Sequence, residues 1–192
     1  MPDSLTIGVI LGSTRPGRNG EAVANWVMEI AAGRDDGDRV RFELVDLAEF
    51  NLPLLCEPTV PGAANRQYER PETRAWSARI DALDGFVFVT PEYNHGVPAA
   101  LKNAFDVIYP EWGDKAVGFV AYGADGGVRA VEQWRCISAN AHLYDVRAQV
   151  ALSLFQDWGE NGFAPIERRA NEAMGVLDAV VKLSGLLKPQ RG

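Results

Sequence analysis

The residues best equipped for chemistry fall in three short stretches: GSTRPGRNG at 12–20, TPEYNHGVP at 90–98 and YGADGG at 122–127. The first joins two hydroxyls, Ser13 and Thr14, to two guanidinium groups, Arg15 and Arg18, with Asn19 and the glycines Gly12, Gly17 and Gly20 among them. It contains no Gly-Lys-Ser/Thr, and its glycines do not fit G-x-G-x-x-G, so neither common nucleotide loop is present. It contains no cysteine, which excludes a thiolate phosphatase nucleophile. What remains is non-covalent recognition of an anion. Free backbone N–H groups and the positive end of a helix starting near Gly20 attract negative charge, Ser13 and Thr14 add hydroxyl donors, and Arg15 and Arg18 add charge-assisted contacts. A terminal phosphate monoester suits such a turn better than a bridging pyrophosphate.

The second stretch follows the apolar run GFVFV and leads into a helix within a few residues. Pro91, Glu92, Tyr93 and Asn94 stand at the strand exit, where backbone N–H and C=O groups are free to meet the edge of a planar heteroaromatic ring, and Asn94 offers both donor and acceptor. Glu92 has the chemistry of an acid–base catalyst, but no second carboxylate or metal-ligand set accompanies it, which favours a structural or ring-adjacent role. His95 reads either as a proton donor or as a solvated or capping residue. In the third stretch Gly123, Gly126 and Gly127 surround Asp125 and let a ligand approach the backbone closely. Tyr122, at the strand end, is in place to pack against a ring edge.

The elements that must position these loops alternate. Apolar runs predict strands at Leu5–Leu11, Val40–Val45, Gly85–Thr90, Ala116–Tyr122 and Val146–Leu152, and helical spacing predicts helices at Gly20–Ala32, Pro71–Leu83, Pro98–Ile108, Val128–Ala141 and Ile166–Leu187. FVFV and AVGFVAY are nearly continuous hydrophobic runs, as parallel strands covered on both faces require. The alternation gives an α/β fold with an open, doubly wound parallel sheet. In such a sheet the carboxyl ends of all strands share one edge, and ligands bind there where strand order reverses. The loops after the first, third and fourth strands therefore converge. The segment QDWGENGFAPIE, 156–167, reads as a surface loop.

The chain has 192 residues, 47% of them hydrophobic, a size that fits a single domain over 1–192. Nineteen Lys and Arg against 26 Asp and Glu give a net charge of −7, which argues against nucleic acid or an anionic membrane as partner. Cys56 and Cys136 lie outside any metal-ligand or C-x-x-C spacing and read as buried or partly buried thiols. The first residues lack a basic leader, and no apolar run approaches the ~20 residues of a membrane span. The expectation is a cytoplasmic protein.

GSTRPGRNG, PEYNHGVPAALKNAFD and EWGDKAVGFVAYGADGG resemble, in order, the corresponding stretches of the NADPH-dependent FMN reductase family, flavodoxin-like flavoproteins that include quinone, azo-dye and chromate reductases. The resemblance implies a three-layer, five-stranded sheet of order 2-1-3-4-5 with FMN bound non-covalently at the loop edge. It implies that Ser13, Thr14, Arg15, Arg18, Asn19 and Gly20 surround the FMN phosphate, that Pro91, Glu92, Tyr93 and Asn94 contact the isoalloxazine, and that Tyr122, Gly123, Gly126 and Gly127 line its other side. Many members of that family have Ser in place of Arg18 and Asn in place of Gly20; arginine at 18 resembles a quinone-reductase branch, where it faces either the phosphate or the pyridine nucleotide. NADPH or NADH is the implied reductant and a quinone, azo compound, flavin or similar small molecule the acceptor, by a ping-pong cycle needing no acid–base side chain. The other reading of the same fold is a non-enzymatic electron carrier, against which the glycine-rich third loop counts because it leaves an open face. A homodimer or homotetramer is implied, with Trp112, Trp134 and the Trp158 loop as interface candidates and core packing as the equal alternative for the tryptophans.

Overall fold

The computed structural model describes residues 4–191. Five strands, β1 (Leu5–Leu11), β2 (Val40–Asp46), β3 (Gly85–Pro91), β4 (Lys115–Gly123) and β5 (Leu143–Ser153), form one parallel sheet in the order β2-β1-β3-β4-β5. Every residue of β3 and β4 is buried, because crossover helices cover both faces of the sheet. The order reverses between β1 and β3, which puts the exits of β1, β3 and β4 side by side.

Helices α1 (Gly20–Ala32) and α5 (Arg168–Leu187) cover one face. In α1, Val23, Ala24, Val27 and Ala31 recur at helical spacing and face Ile7 and Val9 of β1 within one buried cluster. A Cβ at Gly118 would stand 2.6 Å from Val176 and 2.8 Å from Val180, so α5 lies directly on β4 only because that residue is glycine. Helices α2 (Pro71–Asp81), α3 (Ala99–Asp106) and α4 (Val128–Asn140) cover the other face around an aromatic core. Pro98 sits just outside α3 with extended backbone, as its N-cap, and α3 begins one residue later than the periodicity predicts.

Trp112 and Trp134 belong to that core and not to an exposed interface. Trp112 stacks on Phe105 at 4.9 Å and Trp134 meets Phe88 edge-on at 5.4 Å. Their indole N–H groups donate to Phe105 O at 3.0 Å and Thr90 Oγ1 at 3.2 Å, so burial leaves neither unsatisfied. Truncating such a residue to alanine costs roughly 3–5 kcal/mol. Both cysteines, in contrast, are exposed: Cys56 lies in the irregular segment before α2, and Cys136 on the outer face of α4 between the buried Trp134 and Ser138. The segment 156–167 holds a two-stranded hairpin, β6 (Trp158–Gly159) with β7 (Gly162–Phe163), where a plain loop was expected. Gly162, at φ +101, supplies the backbone conformation that the tight turn needs.

Candidate active site

Loop 1, between β1 and α1, starts tightly. Gly12 N donates to Val89 O at 3.0 Å, and the buried Ser13 hydroxyl meets Tyr93 Oη at 3.0 Å, tying loop 1 to the loop after β3. Beyond Ser13 the loop keeps donors in reserve. Among the described residues, none of the backbone N–H groups from Ser13 to Asn19 donates to a protein acceptor, and Asn19, the N-cap of α1, makes no side-chain capping bond. An uncapped helix end with free N–H groups is an anion site. The two arginines differ. Arg15 is exposed and touches only Gly17 O, at 3.4 Å, whereas Arg18 is committed to the Asp46 carboxylate through both terminal nitrogens and to Ser13 O at 2.7 Å. Asp46 also accepts from Ala48 N at 2.9 Å, which fixes the turn after β2.

The loop after β3 is built as a rigid finger. Tyr93 and Gly96 exchange backbone hydrogen bonds at 3.0 and 3.1 Å, and Asn94 and His95 between them hold φ of 51° and 65°, a turn of the primed kind in which Asn is well tolerated. Gln133 of α4 clamps the finger, donating to His95 O at 2.8 Å and accepting from Val97 N at 3.2 Å. Asn94 and Tyr93 are exposed at the edge.

Glu92 turns away from solvent and caps α4. Its carboxylate accepts from Arg129 N at 2.9 Å and Ala130 N at 3.3 Å, and from the Arg129 guanidinium at 2.7 Å. Burial pushes its pKa up, but these hydrogen bonds and the Arg129 charge outweigh that and hold it below the usual carboxylate range. Glu92 is thus a structural anion joining the second loop to the third. Its own N–H donates to Tyr122 O at 3.0 Å.

In the third loop Gly126 and Gly127 have φ of +78° and +73°, and a Cβ at either would run into Ala151 or the backbone of Tyr122. The turn therefore excludes side chains and presents bare backbone beside the finger. Tyr122 is placed differently from the ring-edge position that its strand-end location suggests: its side chain is buried on the α1 side, its ring 6.2 Å from that of Trp158.

A cavity of about 370 Å³ opens on the β2 side of Thr14, lined also by Leu47, Asn51, Leu52, Ala100 and Asn103. Asn103 shapes it by donating to Pro53 O at 2.8 Å and accepting from Leu55 N at 2.9 Å. Of the residues singled out in the sequence, only Thr14 lines it; the others lie along the edge from loop 1 to Gly127. Asp46 and Arg129 are the edge residues that sequence reading passes over, while Asn103 lies within the PEYNHGVPAALKNAFD stretch that carries the resemblance. Asp46 had a signal, since it ends a strand at the ligand edge.

These features define the class: a flavodoxin-like α/β protein whose carboxyl edge offers a donor-rich turn, a rigid finger and a bare glycine turn. A sequence profile of the NADPH-dependent FMN reductase family matches residues 5–157. A NAD(P)H-dependent FMN reductase of a Nectria species is 40% identical over 129 residues, which span 66% of this chain and 64% of that relative. A NAD(P)H:quinone oxidoreductase of Solanum tuberosum is 29% identical over 195 residues, 96% of this chain and 95% of the relative. The solved structure of the flavoenzyme NAD(P)H:(acceptor) oxidoreductase FerB from Paracoccus denitrificans superposes with a TM-score of 0.72 over 95% of this chain and 98% of that one, at 20% identity, and so shares its fold. The chain belongs to the NADPH-dependent FMN reductase family, a class of oxidoreductases that use FMN and a nicotinamide nucleotide. Its residues fit that cofactor, because a helix end without a side-chain cap and Arg15, which has no carboxylate partner, suit an anion at one end of the edge, while the glycine turn beside the finger presents backbone without side chains at the other. Among the described residues no group of three or more His, Cys, Asp or Glu could hold a metal ion, and no helix is long and apolar enough to cross a membrane.

Proposed function

We propose that this protein oxidises NADPH or NADH and delivers the electrons to a small-molecule acceptor, a quinone, azo compound or free flavin. FMN, when bound, supplies the hydride chemistry. Loop 1 holds the phosphate through its free N–H groups, Ser13, Thr14, Asn19 and Arg15, with Gly20 opening α1 beneath it. Arg18 acts at one remove by fixing the Ser13 carbonyl and the turn at Asp46. Pro91, Tyr93 and Asn94 orient the ring from the finger, and Gly123, Gly126 and Gly127 approach it with backbone alone. Glu92 keeps finger and glycine turn in register. No side chain has to move a proton for hydride transfer, and one open face serving reductant and acceptor in turn gives ping-pong kinetics.

The observation that carries this reading is the uncapped, donor-rich helix end of loop 1 on the same edge as the finger. The quinone class is supported by the potato relative and by bacterial relatives named quinone reductases. Assembly into dimers or tetramers and a cytoplasmic location belong to the same reading. The test is the visible spectrum of the purified protein with FMN, followed by anaerobic NADPH and then NADH. Bleaching of the flavin band near ~450 nm is the expected result; a bound flavin that neither nucleotide bleaches would favour the electron carrier. Arg15→Ala is expected to weaken FMN binding about 10-fold to 100-fold, the range for a charge-assisted hydrogen bond. Unchanged affinity removes Arg15 from the site.

A further inference from the structure

Among the described residues, Tyr122 carries the one buried side-chain oxygen at the ligand edge without a hydrogen-bond partner. The residue is 5% exposed, and its phenol ends at the first turn of α1: a Cβ on Gly20 would stand 2.5 Å from Tyr122 Oη. Glycine at 20 is what lets the hydroxyl reach that place. Its polar neighbours are Ser13, Tyr93, Arg15 and Arg18, all loop 1 or finger residues. Burial pushes the phenol up from its ordinary pKa, the nearby Tyr93 adds to that, and the Ser13 hydroxyl and the two arginine charges offset only part of it, so the group is a protonated donor at neutral pH.

The backbone donors around this hydroxyl are also short of an acceptor. The N–H groups of Ser13 to Asn19 are free, α1 has no side-chain cap, and the Ser13 hydroxyl is shared with Tyr93. Buried donors of this kind normally find partners. A single multiply charged anion at the head of α1 satisfies all of them together, and a neutral hydroxymethyl group cannot.

We propose that Tyr122 is a phosphate-recognition residue of the cofactor site, donating its hydroxyl to the terminal phosphate and making the site select a phosphorylated flavin over riboflavin. This rests on the reading of loop 1 as the FMN phosphate site and deepens it. Tyr122 serves the phosphate end of the ligand, not the far side of its ring. The acceptor that the hydroxyl lacks within the chain is the one the phosphate supplies.

The experiment titrates ligand-free protein with FMN and, separately, with riboflavin, following flavin fluorescence, for the wild type and Tyr122→Phe; inorganic phosphate serves as competitor, and thermal melts of both ligand-free proteins are recorded. In the wild type FMN binds at least ~10-fold tighter than riboflavin and phosphate displaces it. In Tyr122→Phe the FMN affinity falls about tenfold, riboflavin affinity is unchanged, and the ligand-free melting temperature does not fall, since no native hydrogen bond is lost. A wild type that does not discriminate between the two flavins overturns the reading of loop 1 and this proposal with it. Discrimination that survives in Tyr122→Phe overturns the proposal alone. A variant that melts several degrees lower and loses both flavins equally shows a structural hydroxyl and also overturns it.

Discussion

The two edges of the sheet are both rich in charged and polar groups, but they treat them in opposite ways. At the amino edge the groups satisfy one another: Asp84 accepts from Thr6 N at 2.8 Å, Lys188 at 3.0 Å and Arg191 at 2.5 Å, and Lys115 donates to Ile80 O and Asp81 O at 2.8 and 3.0 Å. A cavity of about 430 Å³ lies there, and its charged walls are mostly these paired groups, with Arg66 on Asp81. At the carboxyl edge Arg15 has no carboxylate partner, α1 has no side-chain cap and the Tyr122 hydroxyl is orphaned. Neither the size of a cavity nor a single orphaned atom separates the two edges, since Arg191 Nε lacks a partner at the amino edge as well; the run of free backbone N–H groups in loop 1 does. A cluster of unmet donors gathered at one helix end is what marks a ligand edge.

The sharpest test of the amino edge is Lys115. It is buried beside Phe86, and its two acceptors match the two N–H groups of a neutral amine, leaving the third proton of an ammonium without one. Burial lowers its pKa from 10.5 to about 7, against the charges of Asp81 and Asp84 and in concert with those of Arg191 and Arg66. Between those two values the unfolded chain binds one more proton than the folded one, so Lys115 makes stability rise with pH from about 7 to 10.5. The full effect is on the order of 5 kcal/mol. Lys115→Met removes it. In urea unfolding at a series of pH values, the advantage of wild type over the variant is expected to grow across that window, and a constant difference would mean that the amine stays charged in the fold.

Glu92 tests the carboxyl edge in the other direction, as a carboxylate whose account is closed. Glu92→Gln removes the charge at the α4 N-terminus and the ion pair with Arg129, and is expected to lower stability by about 1–2 kcal/mol. The folded pKa lies below the ordinary 4.5, so this contribution is fully present above pH ~4.5 and is lost as pH falls through the folded value. Acid titration of the wild type therefore shows a loss of stability that the variant lacks. Because Glu92 ties the finger to the glycine turn, FMN affinity drops in parallel. A variant with intact stability and lost flavin turnover would return Glu92 to the role of acid–base catalyst.

The strands and the ligand edge were legible because they rest on local signals. GFVFV and AVGFVAY are uninterrupted apolar runs and became the two fully buried strands β3 and β4, and every loop singled out left the edge where strand order reverses. What the chain concealed depends on long-range partners. Arg18 is spoken for by Asp46, 28 residues away on an edge strand, and Glu92 by backbone N–H groups of a helix 37 and 38 residues on. Neither pairing follows from spacing. Composition could not tell a core Trp112 from an interface one, since both environments suit an indole, and the exposed Cys136 differs from the buried Ser138 only in the face of α4 that it occupies. Tyr122 is legible as a strand-end residue, but the side of the sheet that its phenol takes is not, because alternation along a doubly covered strand gives no polar face to orient by.

The smallest effect expected is also the one that separates backbone from side chain in the finger. Asn94 is exposed, with φ of 51°, so its stability role is to tolerate the left-handed conformation. Asn94→Ala therefore costs about 1 kcal/mol of stability, and Asn94→Gly costs less, because glycine adopts this φ without strain. Flavin binding follows a different order. If the side-chain amide meets the ring edge, both variants weaken FMN binding or shift the bound-flavin potential equally, while only the alanine variant melts lower. If the finger works through backbone alone, Asn94→Gly leaves affinity and potential at wild-type values, and the ring contacts must be reassigned to the peptide groups of Pro91 to Tyr93.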